Sequence, residues 1–133
     1  MRIIKIRIEG DKIFGETDDG RILWQSLLYY PRLRFANECQ RQDYTFSAFG
    51  IHWGQIDEDI SFESFEYPNP EPEGLARIFL LHPEINVSAF ARRIGMKQSL
   101  LAAYISGTKH PSAEQQERIL SALRTIGREL SQV

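Results

Sequence analysis

Apolar and polar positions keep two different rhythms along this chain. Over the first half they alternate. Ile4, Ile6 and Ile8 are interleaved with Lys5, Arg7 and Glu9, the period-two pattern of a strand with one buried face. Gly10-Asp11 signals a turn, residues 12–17 read as a second strand, and Asp18-Asp19-Gly20 as a hairpin turn. Residues 21–24 return as a third strand, which predicts a small antiparallel meander. Ser26 is placed to cap a helical turn over residues 27–30, and Pro31 can open another. Leu33, Phe35 and Ala36 predict a short helix lasting to about Cys39. Residues 44–49 and 51–53 read as strands on either side of Gly50, and Ser61 is placed to cap a last turn through Phe62 and Phe65. Trp24, Trp53, Phe46 and Phe62 are expected in the core.

Three of the six prolines fall at alternate positions within residues 67–73, so that stretch reads as an extended linker. Beyond it the spacing becomes helical. Leu75, Ile78, Phe79 and His82 share one face up to Pro83. Val87, Phe90, Ala91 and Ile94 do the same after Asn86, a good N-cap, and Gly95 can stop that helix in a left-handed conformation. In the next segment Leu101, Tyr104 and Ile105 point one way, and Gln98, Ser99, Ala102 and Ser106 the other. Gly107 and Pro111 end it. Ser112 caps a closing helix whose apolar stripe is Ile119, Leu120, Leu123, Ile126 and Leu130. Two short helices joined by a tight, glycine-containing turn form a helix-turn-helix pattern.

Residues 74–130 resemble the lambda-repressor-like (XRE-type) DNA-binding domains. The matching positions are Phe90-Ala91, Ile94-Gly95-Met96, Leu101, Tyr104, Gly107, Lys109 and Pro111, with Ile119, Leu120 and Leu123 in the helix that follows. In that family the second helix of the pair enters the major groove. The resemblance implies that Lys97, Gln98, Ser99, Ala102 and Ala103 face double-stranded DNA and that Lys109 lies near phosphate. Gln98 can pair with adenine through its amide, while the two alanines offer apolar contact or close approach. One such face binds weakly, so a homodimer reading two half-sites is expected.

Charge divides the chain at the same place. Residues 1–73 carry eight Lys and Arg against fourteen Asp and Glu, a balance of −6. Residues 74–133 carry eight against four, a balance of +4. Two modules with different partners are expected: 1–66 acidic, 67–73 linker, 74–133 helix-turn-helix. A positive second half favours phosphate. Cys39 is the single cysteine, so no intrachain disulfide forms. No apolar run approaches the roughly 20 residues of a membrane-spanning helix, and the first residues lack a signal-peptide core, so a soluble cytoplasmic protein is expected.

In the acidic half, the Asp-Asp-Gly hairpin, Leu27-Leu28-Tyr29-Tyr30-Pro31-Arg32-Leu33, Ile51-His52-Trp53 and Ile56 to Ser61 resemble an uncharacterised small bacterial α+β domain family. Its members often stand beside another small protein in toxin–antitoxin-like gene pairs. The resemblance covers residues 3–66 and implies a small protein partner for the acidic domain. Asp57, Glu58 and Asp59 near His52 lack the spacing of an EF-hand loop, and one His with one Cys falls short of a zinc site. They read as solvated loop charges beside a packed His52, with Asp59 a possible cap of the final turn. Cys39 has no evident activating base and reads as structural. No nucleophile–base arrangement and no phosphate-binding glycine loop is present, so no enzyme, metal or cofactor is expected.

The fold class is therefore α+β: an antiparallel-sheet N-terminal domain and an all-α, lambda-repressor-like C-terminal domain. The expected function is that of a DNA-binding transcriptional regulator. The alternative is a protein-interaction module, such as the antitoxin-like partner of a small neighbouring protein.

Overall fold

A computed structural model describes residues 1–68 and 71–133. The chain is α+β, with antiparallel sheets in the N-terminal half and helices alone in the C-terminal half. It separates into two compact units, Met1–Pro72 and Glu73–Val133. Of the proline-rich stretch, Asn69 and Pro70 lie outside the described residues.

The first sheet has the order β1 (Ile3–Glu9), β2 (Lys12–Thr17), β3 (Ile22–Ser26). Its hairpin closes at Asp18-Asp19-Gly20. Gly20 takes φ 86°, the Thr17 amide donates to the Arg21 carbonyl at 2.8 Å, and the Thr17 hydroxyl donates to Asp19. That hydroxyl and the Arg21 guanidinium hold the Asp19 carboxyl below its usual range. The alternation predicted for β1 fails at its start. Two residues oppose one between Ile3 and Lys5, a β-bulge that turns Ile3 into the core and leaves Ile4 more than half exposed.

After β3, Ser26 accepts from the Leu28 amide at 3.2 Å and caps a 3-10 turn. The expected single helix to Cys39 is in fact two. Pro31 opens α1 (Pro31–Arg34), and Asn37 starts α2 (Glu38–Gln42) with a reciprocal cap in which its side chain accepts from the Gln40 amide at 2.8 Å. A polar N-cap at position 37 outweighs the continuing apolar spacing. Cys39 is exposed on α2, which removes the structural role expected for it.

The second sheet runs β4 (Tyr44–Phe46), β5 (Gly50–Trp53), β6 (Glu58–Ser61). The strand expected over residues 44–49 stops at Phe46, and β6 is a strand that the sequence pattern does not predict, because its acidic start masks its alternation. Ile60 on β6 is buried, and so is Glu58, which pairs with Arg32 at 3.4 Å. Glu58 is thus not the solvated charge expected.

Ile3, Ile13, Leu27, Leu33, Ile51, Trp53, Ile60, Phe62 and Phe65 form the core of this unit. Trp53 is fully buried, and its indole N–H donates to the Arg41 carbonyl at 3.0 Å. Gln25 is buried too, held by Tyr30 Oη at 2.7 Å and Ser64 Oγ at 2.8 Å. Burial pushes the Tyr30 phenol above its ordinary value. Two of the four aromatics expected inside are partly outside: Trp24 lies under Lys12 on the outer sheet face, and Phe46 is on the short β4.

The second unit contains α3 (Gly74–Leu81), α4 (Val87–Arg93), α5 (Gln98–Ser106) and α6 (Ala113–Ser131). Leu75 and Phe79 of α3, Phe90 and Ala91 of α4, Met96, Leu101 of α5 and Ile119 of α6 make its core. Phe79 and Phe90 meet edge to face at 5.6 Å between ring centroids. Leu120, Leu123 and Ile126 are partly buried, whereas Leu130 is exposed beyond the packed part of the α6 stripe.

Candidate nucleic-acid interface

The α4–α5 connection is built by backbone chemistry that the sequence specifies closely. Asn86 accepts from the Ala89 amide at 3.0 Å and starts α4. At its end Gly95 takes φ 67°. The Gly95 amide donates to the Arg92 carbonyl at 3.1 Å, and the Met96 amide to the Ala91 carbonyl at 2.9 Å. Those two bonds form a Schellman motif, with the buried Met96 supplying its apolar contact. Arg118 of α6 donates to the Ile94 carbonyl, another of the carbonyls left open at the helix end. Arg93 of α4 reaches Glu129 of α6 at 2.7 Å. These two arginine contacts fix the turn against α6. Neither was found in the sequence, because contacts across 24 and 36 residues leave no local periodicity.

This turn aims α5. Leu101 faces the core with no exposed surface, and Leu100, Tyr104 and Ile105 flank it. The opposite side is open: Lys97, Gln98, Ser99 and Ala102 are exposed, and Ala103 is half-buried at its border. Lys97 occupies the N-cap position and has no acceptor to offer the first amides of the helix. The positive end of a nine-residue helix therefore meets solvent without a side-chain cap. At the other end Gly107 takes φ 82°, and the exposed Lys109 follows, its amide donating to the Ala103 carbonyl at 3.1 Å.

Three of the four carboxylates in residues 74–133 are engaged: Glu84 meets His82 at 3.2 Å, Glu117 meets Arg124 at 3.0 Å, and Glu129 meets Arg93. Among the described residues neither Lys97 nor Lys109 enters an ion pair.

The acidic unit holds a second cluster of ligating side chains. His52 and Asp59 face each other across β5 and β6, with Nδ1 and Oδ1 2.8 Å apart. Asp57, at φ 49° in the intervening turn, brings a third ligand atom within 4.8 Å of both. Asp59 thus pairs with His52 rather than capping the final turn, and His52 is only partly buried rather than packed. Among the described residues no helix is long and apolar enough to cross a membrane.

A family described as protein of unknown function (DUF2442) matches residues 3–71, more than half of the chain. No curated protein and no solved structure matches it. The meander, the buried Trp53 hairpin and the turn that follows all fall inside the matched segment, and the chain belongs to the DUF2442 family.

Proposed function

We propose that the C-terminal unit binds double-stranded DNA as a lambda-repressor-like helix-turn-helix, and that the protein is a transcriptional regulator of the cytoplasm. The observation that carries this reading is the open side of α5, with Lys97, Gln98, Ser99 and Ala102 exposed. A helix is about as wide as the major groove, and only small or flexible polar residues stand on this side. Lys97 and Lys109 supply phosphate contacts, Gln98 and Ser99 base-edge contacts, and Ala102 and Ala103 close approach. The apolar side of the same helix is used by the core, so α5 has one available face. A homodimer would place two such helices one helical turn of DNA apart, about 34 Å.

The test is binding of promoter-proximal DNA at low salt by the parent chain and by Lys97→Glu and Gln98→Ala. Loss of affinity in Lys97→Glu and a changed sequence preference in Gln98→Ala are expected. Unchanged binding in both variants would remove this assignment of the reading face.

The acidic unit supports a second, compatible reading as an interaction module for a small basic protein. The balance of −6 over residues 1–73 is accompanied by exposed apolar side chains, with Phe49 84% and Phe35 63% exposed. Co-expression with the adjacent gene product should give a complex on size-exclusion chromatography. Separate elution of the two proteins would argue against it.

A further inference from the structure

The geometry points to a binding site for a divalent transition-metal ion on the β5–β6 hairpin, formed by His52, Asp57 and Asp59. The register sets the site. Ile51 opposite Ile60 faces the core, so the next ladder pair, His52 opposite Asp59, faces outward as a unit. Its Nδ1 to Oδ1 separation is 2.8 Å. An octahedral ion with bonds of about 2.1 Å holds adjacent ligands about 3.0 Å apart, so this pair already stands near the required spacing. The third ligand atom, on Asp57, lies within 4.8 Å of the other two. A single ion can touch all three only if the Asp57 carboxylate closes on the other two, a shift within reach of rotation of its own side chain. The Asp57 side chain is exposed and its turn is short, so that shift meets no packed neighbour.

A simple histidine–carboxylate pair accounts for His52 and Asp59 but not for Asp57. Among the described residues no Lys or Arg pairs with either aspartate. Two carboxylates and an imidazole therefore converge with no fixed positive charge to offset them, and a dication supplies it. The imidazole decides the class of ion. A nitrogen with two carboxylate oxygens suits zinc, nickel or cobalt, whereas calcium and magnesium take all-oxygen sets. Three protein ligands leave coordination positions for water. Bound there, the ion would clip the start of β6 to β5.

The experiment is calorimetric titration of the tag-free 133-residue chain with Zn2+ alone. One ion per chain is expected, with Ca2+ giving no comparable heat. His52→Ala and Asp57→Asn should each weaken Zn2+ binding at least tenfold. Asparagine tolerates the left-handed backbone of position 57, so Asp57→Asn keeps the turn and separates ligand loss from misfolding. His82→Ala, in the other exposed histidine–carboxylate pair, and Cys39→Ser should bind as the parent does. Absence of Zn2+ binding at millimolar ion, or binding undiminished in both His52→Ala and Asp57→Asn, would overturn the proposal.

Discussion

Replacing Lys97 with alanine should change how DNA binding responds to salt, by an amount the structure sets. Lys97 and Lys109 are the two exposed lysines that bracket α5 without an ion-pair partner among the described residues. Each phosphate neutralised on B-form DNA releases counterions and contributes about 0.9 to the slope of log affinity against log salt. Two contacts give a slope of about −1.8 per bound protomer, and Lys97→Ala should leave about −0.9. Between 50 and 200 mM salt, a fourfold rise, the parent should then lose about 12-fold in affinity and the variant only about 3.5-fold. Fluorescence anisotropy of a labelled duplex, repeated across that salt range, measures both slopes. The fold is not at stake, because the Lys97 side chain makes no hydrogen bond within the described residues and lies outside the core. Equal slopes in the two proteins would show that Lys97 touches no phosphate. The reading helix would then have to be sought elsewhere.

Three further outcomes concern stability. Gly95→Ala places a β-carbon on a backbone at φ 67° and should destabilise the C-terminal unit by about 1–2 kcal/mol, read by urea denaturation. Gly50→Ala would set its β-carbon 2.7 Å from the Ile60 carbonyl oxygen, a backbone atom that cannot swing aside; a loss of about 1–3 kcal/mol is expected for the N-terminal unit. Trp53→Ala empties the centre of that unit's core and should cost about 3–5 kcal/mol, seen as a lowered melting temperature of the N-terminal transition.

What the sequence makes legible depends on whether the deciding contact is local. The first hairpin, the Ser26, Asn86 and Ser112 caps and the glycine stop at Gly95 each depend on residues within a few positions of one another, and each was read from sequence. Ile4 was misplaced because a bulge depends on the partner strand, not on the strand's own alternation. The strand β6 is hidden because Glu58 is an acidic residue on a buried face, satisfied there by Arg32, which lies 26 positions earlier, and by the Asp59 amide. Residue type alone puts Trp24 inward, but its place opposite Phe14 in the ladder puts it on the outer face, where Lys12 covers the ring. For the candidate interface, helical spacing separated the buried Leu101 from the open Gln98, Ser99 and Ala102. The Arg118 and Arg93 contacts that hold the turn join residues too far apart along the chain to leave a periodic signal. The same is true of Asp57 joining His52 and Asp59, since strand register brings them together and spacing along the chain does not.

The most direct measurement is an NMR titration of the isotopically labelled chain with an operator-length duplex, following backbone amides. The account predicts that Lys97, Gln98, Ser99, Ala102, Ala103 and Lys109 shift most, with the amides of β1 to β6 little changed. Shifts confined to the N-terminal unit, or none at saturating DNA and low salt, would contradict it.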